Sequence, residues 1–400
     1  MKGKHLNYSQ IWVGKFRQNL QENILKFWID HAVDRRYDGM VGWLSREGQP
    51  ILPGTKSLVQ QARIVWTFAA AYRKYPEPMY KEVATHTLKF LRLNMFDKKN
   101  GGFYWLATRE GRVVNDKKHL YGQSFAIYAL AEYARAFGDD GARKEALNLF
   151  NLIDRKAHDD GNGGYREAFS VNWQRLNNDT TVGSGDDKSM NTHLHLLESF
   201  MALYEITGSE IVRERIEELI KIFTDKIVDA KNGYARSKFS DDWKPLNTNT
   251  RSYGHDIELS WLLTEAVRVL GRRQDPKIQK VALLLVDNTL RFGFDQKQGG
   301  EFYDGPPRGS ATNRRKIWWV QAEVLVGLLN AYQLTKNPLY YERFEQQAQF
   351  VFNHFTDHKY GEWHNTIEVD GRIIGDKANE WKAPYHAGRA CLEVIRRLEK

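Results

Sequence analysis

The chain has 400 residues, 42% apolar, 13% aromatic and 27% charged, with a formal charge of +9 and one cysteine, Cys391. That composition excludes a disordered chain, a disulfide framework and a multi-cysteine metal site. No apolar run approaches a membrane span, and Met1 to Phe16 lacks the apolar centre of a secretory signal, so a cytoplasmic protein is expected. Lys and Arg are spread as isolated pairs such as Arg272-Arg273, Arg314-Arg315 and Arg396-Arg397, which argues against nucleic-acid binding.

A glycine turn flanked by aromatic residues recurs along the chain. It stands at Asp38-Gly39, Asn100 to Tyr104, Asn162 to Tyr165, Asn232 to Tyr234, Gly299 to Tyr303 and Tyr360 to Trp363, in steps of about sixty to seventy residues. Such turns read as short β-hairpins or loops. Between them the pattern is helical. Leu58, Ala62, Val65 and Ala69 share one helix face, with Thr55 or Ser57 as N-cap. A helix from Tyr121 to Phe137 should stop at Gly138. Further helices are expected over 211–227, 257–270, 278–292, 319–334, 340–355 and 387–398. Two helices and one glycine turn per unit predict an all-α fold, a single (α/α)6 barrel of about twelve helices filling residues 1–400. An open helical solenoid would show the same period.

Aligning the six units on their turns superposes Arg63, Tyr121, His195, His255, Trp318 and His386. In a closed ring, equivalent positions converge at one end of the axis, so these six should meet in one pocket. Two local patterns sharpen this. His195-x-x-Glu198 and His255-x-x-Glu258 put a carboxylate on the same helix face as each imidazole. A carboxylate partner sets a histidine tautomer and raises its basicity. His193 and His195 point to opposite faces, and no His-Glu-x-x-His occurs, so no metal is expected. Gly183-Ser184-Gly185 is not followed by a dinucleotide fingerprint, and no phosphate loop or nucleophile elbow is present. The chemistry expected is acid–base work without a cofactor. Arg63 suits a developing enediolate oxygen, and Trp318, Trp319 and Trp381 suit sugar rings.

Longer motifs carry a resemblance. They are Lys188 to His195 (KSMNTHLH), Ser252 to Glu258 (SYGHDIE), Trp318 to Glu323 (WWVQAE) and Trp381 to His386 (WKAPYH), with Ala62 to Phe68 and Tyr121 to Gln123 in support. On these the chain resembles the N-acylglucosamine 2-epimerase superfamily, and within it the cellobiose 2-epimerases. The resemblance implies an α/α six-barrel and cofactor-free inversion at C2 of a reducing sugar through a cis-enediolate. It implies His255 and His386 as the acid/base pair, with His195 assisting ring opening. It further implies Arg63 at the enediolate oxygens, Glu258 orienting His255, and Tyr121, Asn191, Trp318, Glu323 and Trp381 around the sugar. The expected partner is one small reducing sugar, disaccharide or hexose, bound by a monomer or homodimer. Ala387, Asp187-Lys188 and the run Lys56 to Gln61 depart from the family pattern. They leave room for mannose 2-epimerases and mannose isomerases. An inverting glycoside hydrolase on the same barrel would use carboxylates, with Asp186, Asp187, Asp256 and Glu258 as candidates. A non-catalytic sugar-binding protein would explain the aromatics and not the His-x-x-Glu pairs.

Overall fold

Each glycine turn follows one helix and leads into the next, and that alternation builds two concentric rings. The computed structural model describes residues 2–182, 187–246, 249–272 and 275–399, with side chains from residue 9 onward. Gly183, Ser184, Gly185 and Asp186 lie outside the described residues, as does Arg273.

The first outer helix comprises α1 (Lys2–Gln18), a π-helical stretch (Asn19–Leu25) and α2 (Lys26–His31). The chain then alternates: α3 (Leu58–Lys74) inside, α4 (Pro78–Phe90) outside, α5 (Leu120–Phe137) inside, α6 (Asp140–Ala157) outside. It continues with α7 (Met190–Thr207), α8 (Glu210–Ile222), α9 (Tyr253–Val269), α10 (Pro276–Phe292), α11 (Trp318–Thr335), α12 (Pro338–Phe350) and α13 (Tyr385–Leu398). Each inner helix packs on the next, from α3 to α5, α7, α9, α11 and α13, and α13 returns to α3. The ring is therefore closed, an (α/α)6 barrel rather than an open solenoid. No helix among the described residues is long and apolar enough to cross a membrane.

Burial follows the two rings. Val320 through Ala331 of α11 is buried without a break, as befits a helix packed on all sides. Outer α8 buries only Val212, Ile216, Leu219, Ile220 and Ile222, one stripe toward the core. The expected caps are present: Ser57 accepts from the Gln60 amide, and Gly138 closes α5 in the left-handed region. The stretches read as continuous helix over 211–227 and 340–355 end instead in π-helical turns, Phe223–Ile227 and Val351–Phe355.

The hairpins expected at the glycine turns are mostly single bridges, such as Phe96 with Phe103 and His158 with Tyr165. Only Val228–Asp229 with Tyr234–Ala235 forms a two-residue ladder there. Other short ladders stitch neighbouring units together, as where Lys118–His119 pairs with Ala168–Phe169 and Lys188–Ser189 with Lys238–Phe239, while Thr366–Ile367 with Ile373–Ile374 is a local hairpin.

Beneath the turns lies a repeated bracket. A buried lysine ahead of an inner helix reaches the aspartate that opens the turn, two residues ahead in Lys56–Asp34 (3.0 Å), Lys118–Asp97 (3.0 Å), Lys188–Asp159 (2.8 Å) and Lys316–Asp295 (2.9 Å), and further ahead in Lys377–Asp357 (2.8 Å). The fourth unit uses Arg251, which reaches the Gly233 carbonyl and Asp256. From the first turn of the inner helix an acceptor then takes a turn amide: Gln61 from Met40, Gln123 from Phe103, His193 from Tyr165, Asp256 from Ala235, Gln321 from Glu301. Gly164 has φ +71°, and a Cβ there would sit 2.8 Å from His193 Nε2, so the turn requires glycine.

Candidate active site

The brackets fix the start of each inner helix, and two residues further along the side chains face the barrel axis. Arg63, His195, Glu258 and Glu323 stand at that offset from Gln61, His193, Asp256 and Gln321. His193 and His195 thus face opposite ways, as their spacing requires. His193 is held by the Tyr165 amide and the Ser189 carbonyl.

At one end of the axis is a cavity of about 440 Å³. All six repeat-equivalent residues line it: Arg63, Tyr121, His195, His255, Trp318 and His386. Asn191, Glu258, Trp319 and Trp381 join them, and Thr181, Val182, Tyr303, Asn365 and Asn379 form more of the wall. Glu323 does not line the cavity; it lies behind His386, with Oε1 2.7 Å from His386 Nδ1 and Oε2 accepting from Trp261 Nε1 at 3.0 Å.

Arg63 donates from Nη2 to Tyr121 Oη (2.9 Å) and from Nη1 to the Trp381 carbonyl (2.6 Å). Its guanidinium lies 4.4 Å from the Phe125 ring centre, a face that keeps the charge dry and in place. The His255 ring packs 4.7 Å from Trp319, which is also 5.8 Å from His386, so the indole bridges the two histidines. Arg63 Nε, Asn191 Oδ1 and Trp318 Nε1 are buried without a protein partner. Their residues all line the cavity, a set that suits a ligand rich in hydroxyls.

The two His-x-x-Glu pairs part company. His195 Nδ1 meets Glu198 Oε2 at 3.2 Å, the expected contact. Glu258 does not take up His255. Its Oε1 accepts from Arg389 Nη2 at 2.7 Å instead, because a charged guanidinium outbids a neutral imidazole for the carboxylate. Arg389 also bonds Glu198 and, at 2.7 Å, Glu323. The repeat alignment overlooks Arg389, although His386 and Arg389 on α13 show the same three-residue spacing as the His–Glu pairs. Tyr385, which donates to Glu198, is overlooked as well.

Electrostatics follow from this burial. Burial, and then the neighbouring His195, pull His255 down to about 4. Burial lowers His195 too. Burial together with Arg63 and Arg389 takes His386 well below its ordinary value. All three imidazoles are neutral near pH 7, the form that accepts a proton. Burial would raise Glu198, but Arg389 overrides it and holds that carboxyl at about 2. Three carboxyl groups share one guanidinium, and burial pushes Glu258 well up, with Glu323 adding to it. Glu258, Glu323 and His386 present ligand atoms within 4.8 Å of one another. Arg389 Nη2 already bonds both carboxylates, so the cation of this cluster is a guanidinium.

Of the four carboxylates an inverting hydrolase could use, Glu258 alone among the described residues lines the cavity, and it is held by Arg389. Asp256 is spent on Arg251 and the Ala235 amide, Asp187 on Arg175, and Asp186 lies outside the described residues. The departures from the family pattern are also placed. Lys56, Gln61 and Lys188 serve the turn brackets, and Ala387 is fully buried.

The family model for N-acylglucosamine 2-epimerase (GlcNAc 2-epimerase) matches residues 39–390. The chain belongs to the N-acylglucosamine 2-epimerase family. Cellobiose 2-epimerase of Bacteroides fragilis is 33% identical over 390 residues, 95% of this chain and 98% of that one. The Dictyoglomus turgidum cellobiose 2-epimerase is 33% identical over 388 residues, 95% and 97% of the two chains. The solved cellobiose 2-epimerase from Spirochaeta thermophila superposes with a TM-score of 0.92 at 35% identity, covering 98% of both chains. As a member of the epimerase family, the protein is an isomerase acting on carbohydrates, and its (α/α)6 barrel is that of its relatives.

Proposed function

We propose that the protein inverts C2 of the reducing-end glucose of a β-1,4-linked disaccharide such as cellobiose or lactose, without a cofactor. The observation that carries this is the convergence of His195, His255 and His386 with Arg63 in one aromatic cavity, in a chain 33% identical to a cellobiose 2-epimerase over 95% of its length.

In this reading His195, tautomer set by Glu198, moves the proton of the anomeric hydroxyl to the ring oxygen as the C1–O5 bond breaks, which frees the C1 aldehyde. Neutral His255 takes the C2 proton. The C–H electrons form the C1–C2 double bond, and the charge on O1 falls to Arg63, whose position is preset by Tyr121 and the Trp381 carbonyl. His386 returns a proton to the opposite face of C2, the carbonyl reforms and the ring closes. Glu323 at Nδ1 stabilises the imidazolium that His386 becomes before delivery. At rest that proton belongs to the carboxylates behind it, where burial favours the acid form. The reverse reaction exchanges the two histidines. Asn191, Trp318 and Trp381 hold the sugar, Trp381 by its ring face.

The test is proton NMR in D2O with cellobiose in one sample and D-mannose in another. A mannose-type reducing end formed from cellobiose, with deuterium at C2, is the expected result. Mannose turnover with cellobiose untouched would overturn the disaccharide assignment. Fructose formation would make the protein an isomerase of the C1–C2 pair.

A further inference from the structure

The barrel has a second chamber at its opposite end. Its volume is about 280 Å³, and its lining includes Trp66, Tyr128, Trp261, Glu198 and Arg389 beneath a rim of paired arginines and glutamates. Glu198 and Arg389 line this rear chamber and not the substrate cavity. Arg389 Nε and Trp66 Nε1 are both buried, without a protein partner, in residues that line it. The guanidinium is held between the rings of Trp261 (4.8 Å) and Tyr385 (4.5 Å).

We infer that Arg389 is the positioning residue that ties the histidines on two sides of the site into one unit, and that it is reached from the rear chamber rather than through the substrate cavity. This rests on the epimerase reading above. One guanidinium joins Glu198, which sets His195, to Glu323, which sets His386. No other side chain among the described residues bonds both carboxylates. Arg389 does not line the cavity, so it acts on the histidines through the glutamates and through its charge. It also bonds Glu258, so it gathers three acidic groups, and its charge adds to the burial that keeps His386 neutral.

The test is Arg389→Ala in the full chain, with added guanidinium ion as probe. Cellobiose turnover by the unmodified protein is established first; its absence would count against the substrate reading alone. For Arg389, histidine ring-proton NMR gives a readout that needs no turnover. The His386 titration should move upward in the variant, since the arginine is one of the charges depressing it, and return downward with guanidinium. With substrate, kcat should fall about a hundredfold with KM within about threefold, the signature of lost positioning. Guanidinium should restore kcat saturably, and saturating sugar should not compete with it. Rescue that sugar does compete with, no rescue, or an unmoved His386 titration would each overturn the inference. If Arg389→Ala does not fold, Arg389→Lys decides. It keeps the charge but cannot fork between Glu198 and Glu323, so kcat should fall about tenfold with a shifted pH profile. An unchanged kcat and profile would overturn the assignment.

Discussion

The turn brackets and the barrel centre are both rings of buried charge, and they obey opposite rules. In the brackets five lysines each meet the aspartate that opens their turn, and Arg251 instead meets Asp256 of its own inner helix. The same answer is repeated because the task is the same, to close a turn and start a helix. At the centre, two residues further along the same helices, the six units diverge. Three carboxylates lean on a single arginine, and three imidazoles stay neutral. Charge that is balanced locally builds the scaffold, whereas charge left to be shared across the axis is what can move a proton.

That contrast can be broken at the centre first. The double change His255→Ala with His386→Ala should abolish C2 proton exchange, since each acid–base group is worth about 10²–10⁴-fold. Exchange surviving in the purified double variant, followed by NMR in D2O, would remove both residues from the chemistry. A smaller loss is expected for Glu323→Gln, which keeps the shape but removes the charge at His386 Nδ1. A charged hydrogen bond of about 1.5–3 kcal/mol corresponds to a fall in kcat of roughly tenfold to a hundredfold, with thermal stability little changed. Steady-state kinetics beside a melting curve separates the two.

The brackets should respond the other way. Lys188→Met strips buried Asp159 of its buried cation and leaves it only the part-exposed Arg166, so it should cost about 3 kcal/mol of stability, while kcat at low temperature stays near that of the parent. Denaturant titration reads the first and turnover the second; a large kcat loss in a stable Lys188→Met protein would erase the distinction.

Acid sharpens the comparison most gently. His255 accepts a proton only near pH 4, so kcat/KM should hold from neutrality well below the ordinary histidine value of 6.5 and fall as pH approaches 4. In the brackets, Asp34 is lowered from its usual 3.8 to about 2: burial opposes ionisation, and Arg109 and Lys56 outweigh it. Its contribution to stability is whole above 3.8 and is lost as pH falls toward 2. Activity should therefore fail at higher pH than the fold, which parallel pH–rate and pH–unfolding curves would reveal.

Much of this was legible from residues alone. The recurring glycine turns gave the period, and helix spacing located the inner helices other than α7 within a few residues. The expectation that Arg63, Tyr121, His195, His255, Trp318 and His386 meet follows from repeat symmetry, and the cavity contains all six. The brackets were also within reach, since Lys56-Ser57, Lys118-His119, Lys188-Ser189 and Arg251-Ser252 repeat a basic residue followed by a helix cap. The partner of Glu258 was not within reach. Three-residue spacing places it on the face of His255, but a side chain on the axis chooses among six helices, and the chain gives no order of preference between them.

The division has a physical cause. Local order, the unit length, the caps and the face each residue presents are set by neighbours three or four positions away, so the sequence by itself determined them. Closure of α13 on α3, the pairing of Glu323 with His386 and the gathering of three glutamates around Arg389 join residues from 63 to more than 300 positions apart. Those contacts form only where helices from different units meet on the axis, and there the strongest charge partner wins whatever its distance along the chain. Only the tertiary structure decided them.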